Sequence, residues 1–492
     1  MFYDPGEWLE RAPPDRLFMV TADGRRYTYG DLNEVSGRIA ANLQQGCGVV
    51  PGERVAVRIE KSPETVFLYV ACLRLGAAFV PVNTAYSLAE VEYFLTDAQP
   101  QVTVVEDSEI PVLQTQWEVV TLAELLRPGV TFTPPRDLRR DMLGAIVYTS
   151  GTTGRSKGAM LTRENLASNA TTLADSWRFT SDDVLLHVLP LFHVHGLFAA
   201  INTVLASGSS MILLPSKFDA ADAVRRLGEV TVFMGVPTHY TRLLQEEGLN
   251  RDSTGRMRLF VSGSAPLLAE THQEFSQRTG HHILERYGMT ETLMNTSNPY
   301  EGARVPGSVG PSLPGVQVRV INPGTGAVDT TPDAIGTLEI KGPNVFSGYW
   351  QAPEKTAQEF TADGWFKTGD LGKIDSNGYV HIVGRVKDLV ISGGYNVYPK
   401  EVESELDAIP GVLESAVFGV PHPDFGEGVT AAVVLQPGAQ LTEAAILEAI
   451  RSRLARYKLP KRILLMHELP RNTMGKVQKN VLRATNDKLY VR

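Results

Sequence analysis

Short β-branched runs such as Arg54-Val-Ala-Val-Arg-Ile59 take turns with helical patterns such as Ala89-Glu-Val-Glu-Tyr-Phe-Leu95 along the first three fifths of the chain. A strand pattern followed by a helical one, many times over, leaves few folding options. The strands line up largely in parallel and the helices cover them, which is an α/β architecture. Beyond residue 300 the texture shifts to strands punctuated by Gly and Pro, Val316-Gln-Val-Arg-Val-Ile321 and Gly336-Thr-Leu-Glu-Ile-Lys341. These predict a β-rich subdomain of hairpins or a small barrel.

The C-terminal portion reads as a separate unit. Val412–Phe418 and Val429–Leu435 are strand-like, and a helix N-capped by Thr442 follows, with Ile446, Leu447, Ile450 and Leu454 on one face. Arg462–Met466 is a further strand before a short final helix. The boundary is placed at Gly384-Arg385, where a glycine precedes the charged run Arg385-Val-Lys-Asp388. That gives domains 1–385 and 386–492. At 492 residues, two units of unequal size are the expected division.

A formal net charge of −8 argues against bulk nucleic-acid or anionic-membrane binding, while leaving room for a local basic pocket. Two cysteines, Cys47 and Cys72, exclude a disulfide framework and suit a reducing, cytoplasmic setting. The N-terminal stretch carries Asp4, Glu7, Glu10 and Asp15 and reads as neither a secretory signal nor a transit peptide. Val184–Ser216 lacks Asp, Glu, Lys and Arg, yet Pro190, three histidines and the Ser207-Gly208-Ser209-Ser210 turn break it. It is expected to be a buried strand, loop, helix and strand and not a membrane span.

The segment Tyr148-Thr-Ser-Gly-Thr-Thr-Gly-Arg-Ser-Lys-Gly158 carries the first chemistry. An apolar strand, Gly144–Tyr148, runs into hydroxyls, glycines, an arginine and a lysine. Glycines expose backbone N–H groups, and the hydroxyls and cations complete a surface suited to a polyphosphate. The spacing is not that of a Walker A loop. Read alone, the segment is equally a surface loop.

The loop resembles the phosphate-binding signature of the acyl-CoA synthetase, adenylation-domain and luciferase superfamily. The superfamily's other signatures follow in order: Tyr287-Gly-Met-Thr-Glu291, Thr368-Gly-Asp370, Gly384-Arg385 and Arg471-Asn-Thr-Met-Gly-Lys476. The resemblance spans essentially the whole chain. It implies a large N-terminal domain of two α/β sheet subdomains plus a small β-rich subdomain, and a smaller mobile α+β C-terminal domain. It also implies ATP, Mg²⁺ and coenzyme A, and a ligase that makes an acyl-adenylate and then a thioester.

Roles follow from the same resemblance. Thr149, Ser150, Gly151, Thr152, Thr153, Gly154 and Lys157 would cradle the β- and γ-phosphates. Thr290 would meet the α-phosphate and Glu291 the metal. Gly263, Ser264, Ala265, Glu285, Tyr287, Gly288 and Met289 would surround the adenine. Asp370 would accept the ribose hydroxyls, with Arg385 beside it. Lys476 would carry adenylation, on an exposed loop from which it reaches the cleft. His193 would line the acyl pocket, Lys387 would be the hinge, and Gly393, Gly394 and Tyr395 would form the coenzyme A face. Taken singly, Thr290-Glu291 is also compatible with a helix-terminus cap, Gly369-Asp370 with a turn, and Lys476 with a solvated lysine.

Arg286 precedes the Tyr287–Glu291 motif where many relatives have a small or neutral residue. An arginine in a desolvated pocket needs an anion, and a second substrate carboxylate is a suitable bidentate partner. Leu284–Pro299, with Val261–Pro266, resembles the malonate–CoA ligases of this superfamily. That implies malonate as the acid, with methylmalonate as a second substrate. Another short carboxylic acid, a carrier-loading adenylation enzyme, a luciferase-like oxygenase and a silent nucleotide-binding protein are the competing readings.

Overall fold

The computed structural model describes residues 7–9, 12–149, 156–472 and 475–490. The alternating patterns build two sheets. In one, Leu17–Thr21, Ser210–Leu213, Val184–His187, Val232–Gly235, Leu259–Ser262 and Leu284–Met289 are parallel neighbours in that spatial order. Antiparallel edges are supplied by Arg26–Thr28 and Leu293–Ser297. In the other, Arg54–Arg58 lies between Ala78–Pro81 and Val102–Val105, and all three are parallel. That sheet continues to Leu143–Thr149, which pairs antiparallel with Lys157–Thr162. Most of these strands are buried apolar runs, as a parallel sheet covered on both faces demands.

Gln317–Ile321, Val328–Asp329, Gly336–Lys341, Phe366–Ile374 and Val380–Arg385 form a five-stranded antiparallel sheet. It is the expected β-rich part.

The C-terminal stretch has its own sheet and its own core. Val412–His422 and Gly426–Leu435 pair antiparallel along their length, and Arg462–Met466 joins parallel to the second. Side chains alternate across this sheet. Val417, Val429, Ala431 and Val433 face the helices Pro399–Asp407 and Glu443–Ile450. Ala416, Phe418, Val420, Ala432 and Val434 face Leu469 and Leu482 on the other side. Thr442 caps its helix by accepting from Ala445 N–H, as expected. Leu454 falls beyond the end of that helix at Ile450, so it packs on the core from a turn, contrary to the sequence expectation.

Val184–Ser216 folds as a buried strand, a loop, a seven-residue π-helix His195–Ile201 continued by the helix Asn202–Ser207, and a strand. Among the described residues no helix is long and apolar enough to cross a membrane.

Candidate active site

The ends of the two α/β sheets and the antiparallel sheet bring the expected nucleotide residues together. Thr149 and Lys157 are register partners at the ends of their antiparallel strands. Ser150, Gly151, Thr152, Thr153 and Gly154 lie outside the described residues. Lys157 sits over the ring of Tyr349 at 5.2 Å, and burial lowers its pKa. The Tyr349 hydroxyl donates to Glu291 Oε1 at 3.0 Å. Glu291 is buried, and burial raises its pKa. A buried carboxylate of this kind fits a hard divalent cation, which takes oxygen ligands. Tyr349 carried no signal beyond a Gly-Tyr-Trp run in the sequence, so its part in this network was not anticipated.

Thr290, Glu291 and Thr292 form the turn between the strands Leu284–Met289 and Leu293–Ser297. The motif is therefore a β-hairpin tip and not a helix terminus. Tyr287, on the strand before it, donates its hydroxyl to Asp370 Oδ2. Asp370 pairs in register with Arg385, whose Nε lies 2.8 Å from Asp370 Oδ1. That carboxylate is the first cause holding the Arg385 pKa up. Each Asp370 oxygen thus has one partner and keeps a lone pair for a further donor. The Glu285 side chain is on the other face of its strand from Arg286. It accepts from Gly307 N–H at 3.1 Å, and burial pushes its pKa up to about 8.

Lys476 does not sit on an exposed loop. It is half-buried, and its ammonium lies among Arg385, Asp370, Glu291 and Arg286; burial, then Arg385, lowers its pKa. The loop is braced internally: Asn472 N–H donates to Lys476 O, and Lys476 N–H to Asn472 Oδ1, both at 2.9 Å. The lysine enters the cleft because this loop docks on the large N-terminal part near Thr238, a long-range contact that local sequence does not report.

Arg286 makes the other wall. It is 4% exposed, and its Nε and Nη2 have no hydrogen-bond partner among the described residues. The guanidinium crosses the strand end at Gly263, where a Cβ would stand 2.4 Å from Arg286 Cζ. Only glycine leaves that space. Burial lowers the Arg286 pKa to about 9, so it stays cationic at neutral pH. His193 lies nearby, held at about 3 by burial, Lys476 and Arg286, and is neutral. His195 is also buried and neutral, and its Nδ1 is 3.2 Å from Ser264 Oγ. Ser264 has φ +72, a left-handed value that costs a non-glycine residue energy and often marks a site. Ala265 follows in the same turn. Gly288 and Met289 end the strand that carries Arg286. Cations converge on a cleft that holds the buried carboxylates Glu291 and Asp370, and the Arg286 guanidinium, with Nε and Nη2 unpartnered among the described residues, forms its wall.

The model of the family described as AMP-binding enzyme matches residues 7–350, and that of the AMP-binding enzyme C-terminal domain matches residues 401–476. This chain belongs to the AMP-binding enzymes. Among similar AMP-binding enzymes, the mitochondrial malonate–CoA ligase ACSF3 of Mus musculus is 37% identical over 519 residues, covering 95% of this chain and 88% of that protein. ATP-bound MatB from Rhodopseudomonas palustris is 53% identical over the full length of both chains, with a TM-score of 0.96. Apo MatB from the same organism, at the same identity and coverage, has a TM-score of 0.85.

In this AMP-binding enzyme the remaining expected positions lie away from the cleft residues just described. Lys387 is exposed in the short turn Val386–Asp388, directly after the Asp370–Arg385 pair. Gly393 and Gly394, at φ +60 and +80, form the tight turn between Val390–Ser392 and Tyr395–Val397. Tyr395 is 60% exposed and stacks on Tyr457. His193 and His195 are not strand neighbours: the first lies in a loop and the second opens the π-helix. Among the described residues no group of three His, Cys, Asp or Glu side chains is set to hold a metal ion.

Proposed function

We propose that this AMP-binding enzyme is an acid–thiol ligase that converts malonate, ATP and coenzyme A to malonyl-CoA, AMP and pyrophosphate. The observation that carries the acid is the unpaired guanidinium of Arg286. A buried cation without an anion costs several kcal/mol, and a second carboxylate on the substrate removes that cost. The names of the mouse ligase and of the malonate–CoA ligase of Arabidopsis thaliana, which is 34% identical over 95% of this chain, point the same way. Methylmalonate is accepted too, because one methyl discriminates weakly in most pockets.

In the first step one malonate carboxylate attacks the α-phosphorus and pyrophosphate leaves. Two anions must meet, and Lys476 supplies a mobile cation between them. Arg286 holds the distal carboxylate, which fixes the proximal one, with neutral His193 beside it. Thr149 to Lys157 hold the β- and γ-phosphates, and Thr290 the α-phosphate. Gly263, Ser264, Ala265, Glu285, Gly288 and Met289 border the adenine, and Tyr287 steers Asp370 towards the ribose. Glu291 would hold Mg²⁺, which screens phosphate charge when bound.

In the second step the thiol replaces AMP. Val386–Asp388 is the joint between domains 1–385 and 386–492, with Lys387 as the hinge. Gly393, Gly394 and Tyr395 form the face that meets coenzyme A after rotation. The closer match to ATP-bound than to apo MatB supports reading the present arrangement as the adenylating one. The two unpaired cysteines support a reducing compartment, with the cytoplasm as the setting.

The test is product analysis with ATP, magnesium, coenzyme A and a set of acids: malonate, methylmalonate, succinate, acetate, butyrate and benzoate. Malonyl-CoA and AMP as the dominant products support the proposal. A monocarboxylate preference sinks malonate, and adenylate without any thioester favours a carrier protein as acceptor. Lys476→Ala should lose adenylation while still binding ATP, read by calorimetry beside activity.

A further inference from the structure

The run Phe346-Ser-Gly-Tyr-Trp350 belongs to none of the motifs assigned above, yet it is sewn to two of them. Phe346 N–H donates to Glu291 O, at the hairpin tip, at 2.8 Å. Ser347 N–H donates to Met160 O at 3.0 Å and Trp350 N–H to Gly158 O at 2.8 Å, both on the strand Lys157–Thr162. Gly348 and Tyr349 pair antiparallel with Met160 and Ala159 of that strand. The run therefore bridges the strand that begins at Lys157 and the turn that holds Glu291.

Local packing fixes the Tyr349 ring in this bridge. Gly348 has φ +133, and a Cβ there would stand 2.6 Å from Thr356 Cγ2, so only glycine lets the chain pass this close to the helix Pro353–Glu359. Thr356 Oγ1 in turn accepts from Tyr349 N–H at 2.9 Å. Phe346 meets the Tyr349 ring edge to face, with centroids 4.9 Å apart, and Tyr349 is buried. A buried tyrosine hydroxyl needs a partner, and this one has a carboxylate of the cleft.

One side chain thus meets both charges. Its hydroxyl donates to Glu291 Oε1 at 3.0 Å, and the Lys157 ammonium lies 5.2 Å from its ring centroid. A donor on one carboxylate oxygen fixes the plane of the group and leaves Oε2, with a second lone pair on Oε1, for a cation. The negative face of the ring holds the ammonium at a set place without neutralising it, so its charge stays available to a phosphate.

We propose that Tyr349 is a positioning residue that couples metal binding to polyphosphate binding, its hydroxyl aiming the Glu291 carboxylate and its ring face holding the Lys157 ammonium. This rests on the reading above in which Glu291 holds the divalent cation and Lys157 the β- and γ-phosphates. The two groups come from different motifs, and the tyrosine sets their separation to suit one metal–triphosphate. Removing the hydroxyl frees the carboxylate to turn, which weakens the cation and leaves Lys157 in place. Removing the ring as well releases both.

The experiment reads binding in the full-length enzyme. The nucleotide is an ATP analogue with a methylene bridge between the α- and β-phosphates, and Mn²⁺ replaces Mg²⁺ so that the free ion is read by electron paramagnetic resonance. Calorimetry in EDTA gives the affinity for the metal-free analogue. Tyr349→Phe keeps the ring and should lower the Mn²⁺ affinity of the enzyme–analogue complex by about 10- to 100-fold, with metal-free binding near the wild type. Tyr349→Leu should lose Mn²⁺ affinity to the same extent and also weaken metal-free binding by about 2- to 30-fold. Tyr349→Met takes its place where leucine does not fold. Wild-type Mn²⁺ affinity in Tyr349→Phe, or wild-type metal-free affinity in Tyr349→Leu, would overturn the coupling. So would equal weakening of both affinities in Tyr349→Phe, the mark of a distorted cleft. Glu291→Gln is the reference: wild-type Mn²⁺ affinity in that variant refutes the metal assignment beneath the proposal, whereas an impaired Glu291→Gln beside an unimpaired Tyr349→Phe refutes the proposal alone. No acid enters these measurements, so they do not depend on which acid is activated.

Discussion

Arg286 shows how much one side chain can carry. Its guanidinium is buried, crosses a glycine and has unpartnered donors, so it weakens the unliganded fold in exchange for binding. Arg286→Met should raise unliganded stability by about 1–3 kcal/mol in denaturant unfolding while abolishing stabilisation by malonate. No rise, with malonate stabilisation kept, would separate Arg286 from the acid. Glu285 gives a pH signature. Its folded pKa of about 8 exceeds the ordinary 4.5, so the folded state holds the proton longer than the unfolded one. Its contribution is complete below about 4.5 and is lost as pH rises through about 8. Stability should fall across that window, and Glu285→Gln should flatten the fall. Arg286 was legible in the sequence because it adjoins the Tyr287–Glu291 motif at a position where many relatives have a small or neutral residue. It could not show Tyr349 on Glu291 or Ser264 on His195, since those contacts join residues 58 and 69 positions apart.

At the scale of elements, periodicity did most of the work. The C-terminal strands alternate so that each face finds its own helices, and the Thr442 cap formed where a Ser/Thr precedes a helical run. Periodicity failed where geometry is irregular. The π-helix from His195 has no simple repeat, and Leu454 matched the helical spacing after the helix had ended. The turn Val386–Asp388 lies between two ion pairs, Asp370–Arg385 and Asp388–Arg483 at 2.6 Å, each on one side of Lys387. Proline suits the φ of such a turn but resists the large change that rotation needs. Lys387→Pro should therefore keep adenylate formation and block thioester formation, read as pyrophosphate released against acyl-CoA formed. Equal loss or retention of both products would argue against a hinge there.

For the whole molecule, the α/β class, the β-rich insertion and the separate C-terminal core were legible because each has its own pattern of apolar residues. The burial of Lys476 was not. A lysine after Met-Gly in a loop reads as solvated, and only docking of that loop beside Thr238 buries it. The cleft thus depends on both parts of the chain: Glu291, Asp370 and Arg286 come from one and Lys476 from the other. The most direct measurement is the ratio of kcat/KM for malonate to that for propionate, which replaces one carboxylate by a methyl, in wild type and Arg286→Ala. The wild type should favour malonate by about 10³-fold or more, as expected when a desolvated charge loses its partner, and the variant should bring the ratio near unity. An unchanged preference in the variant would contradict Arg286 as the group that selects the dicarboxylate.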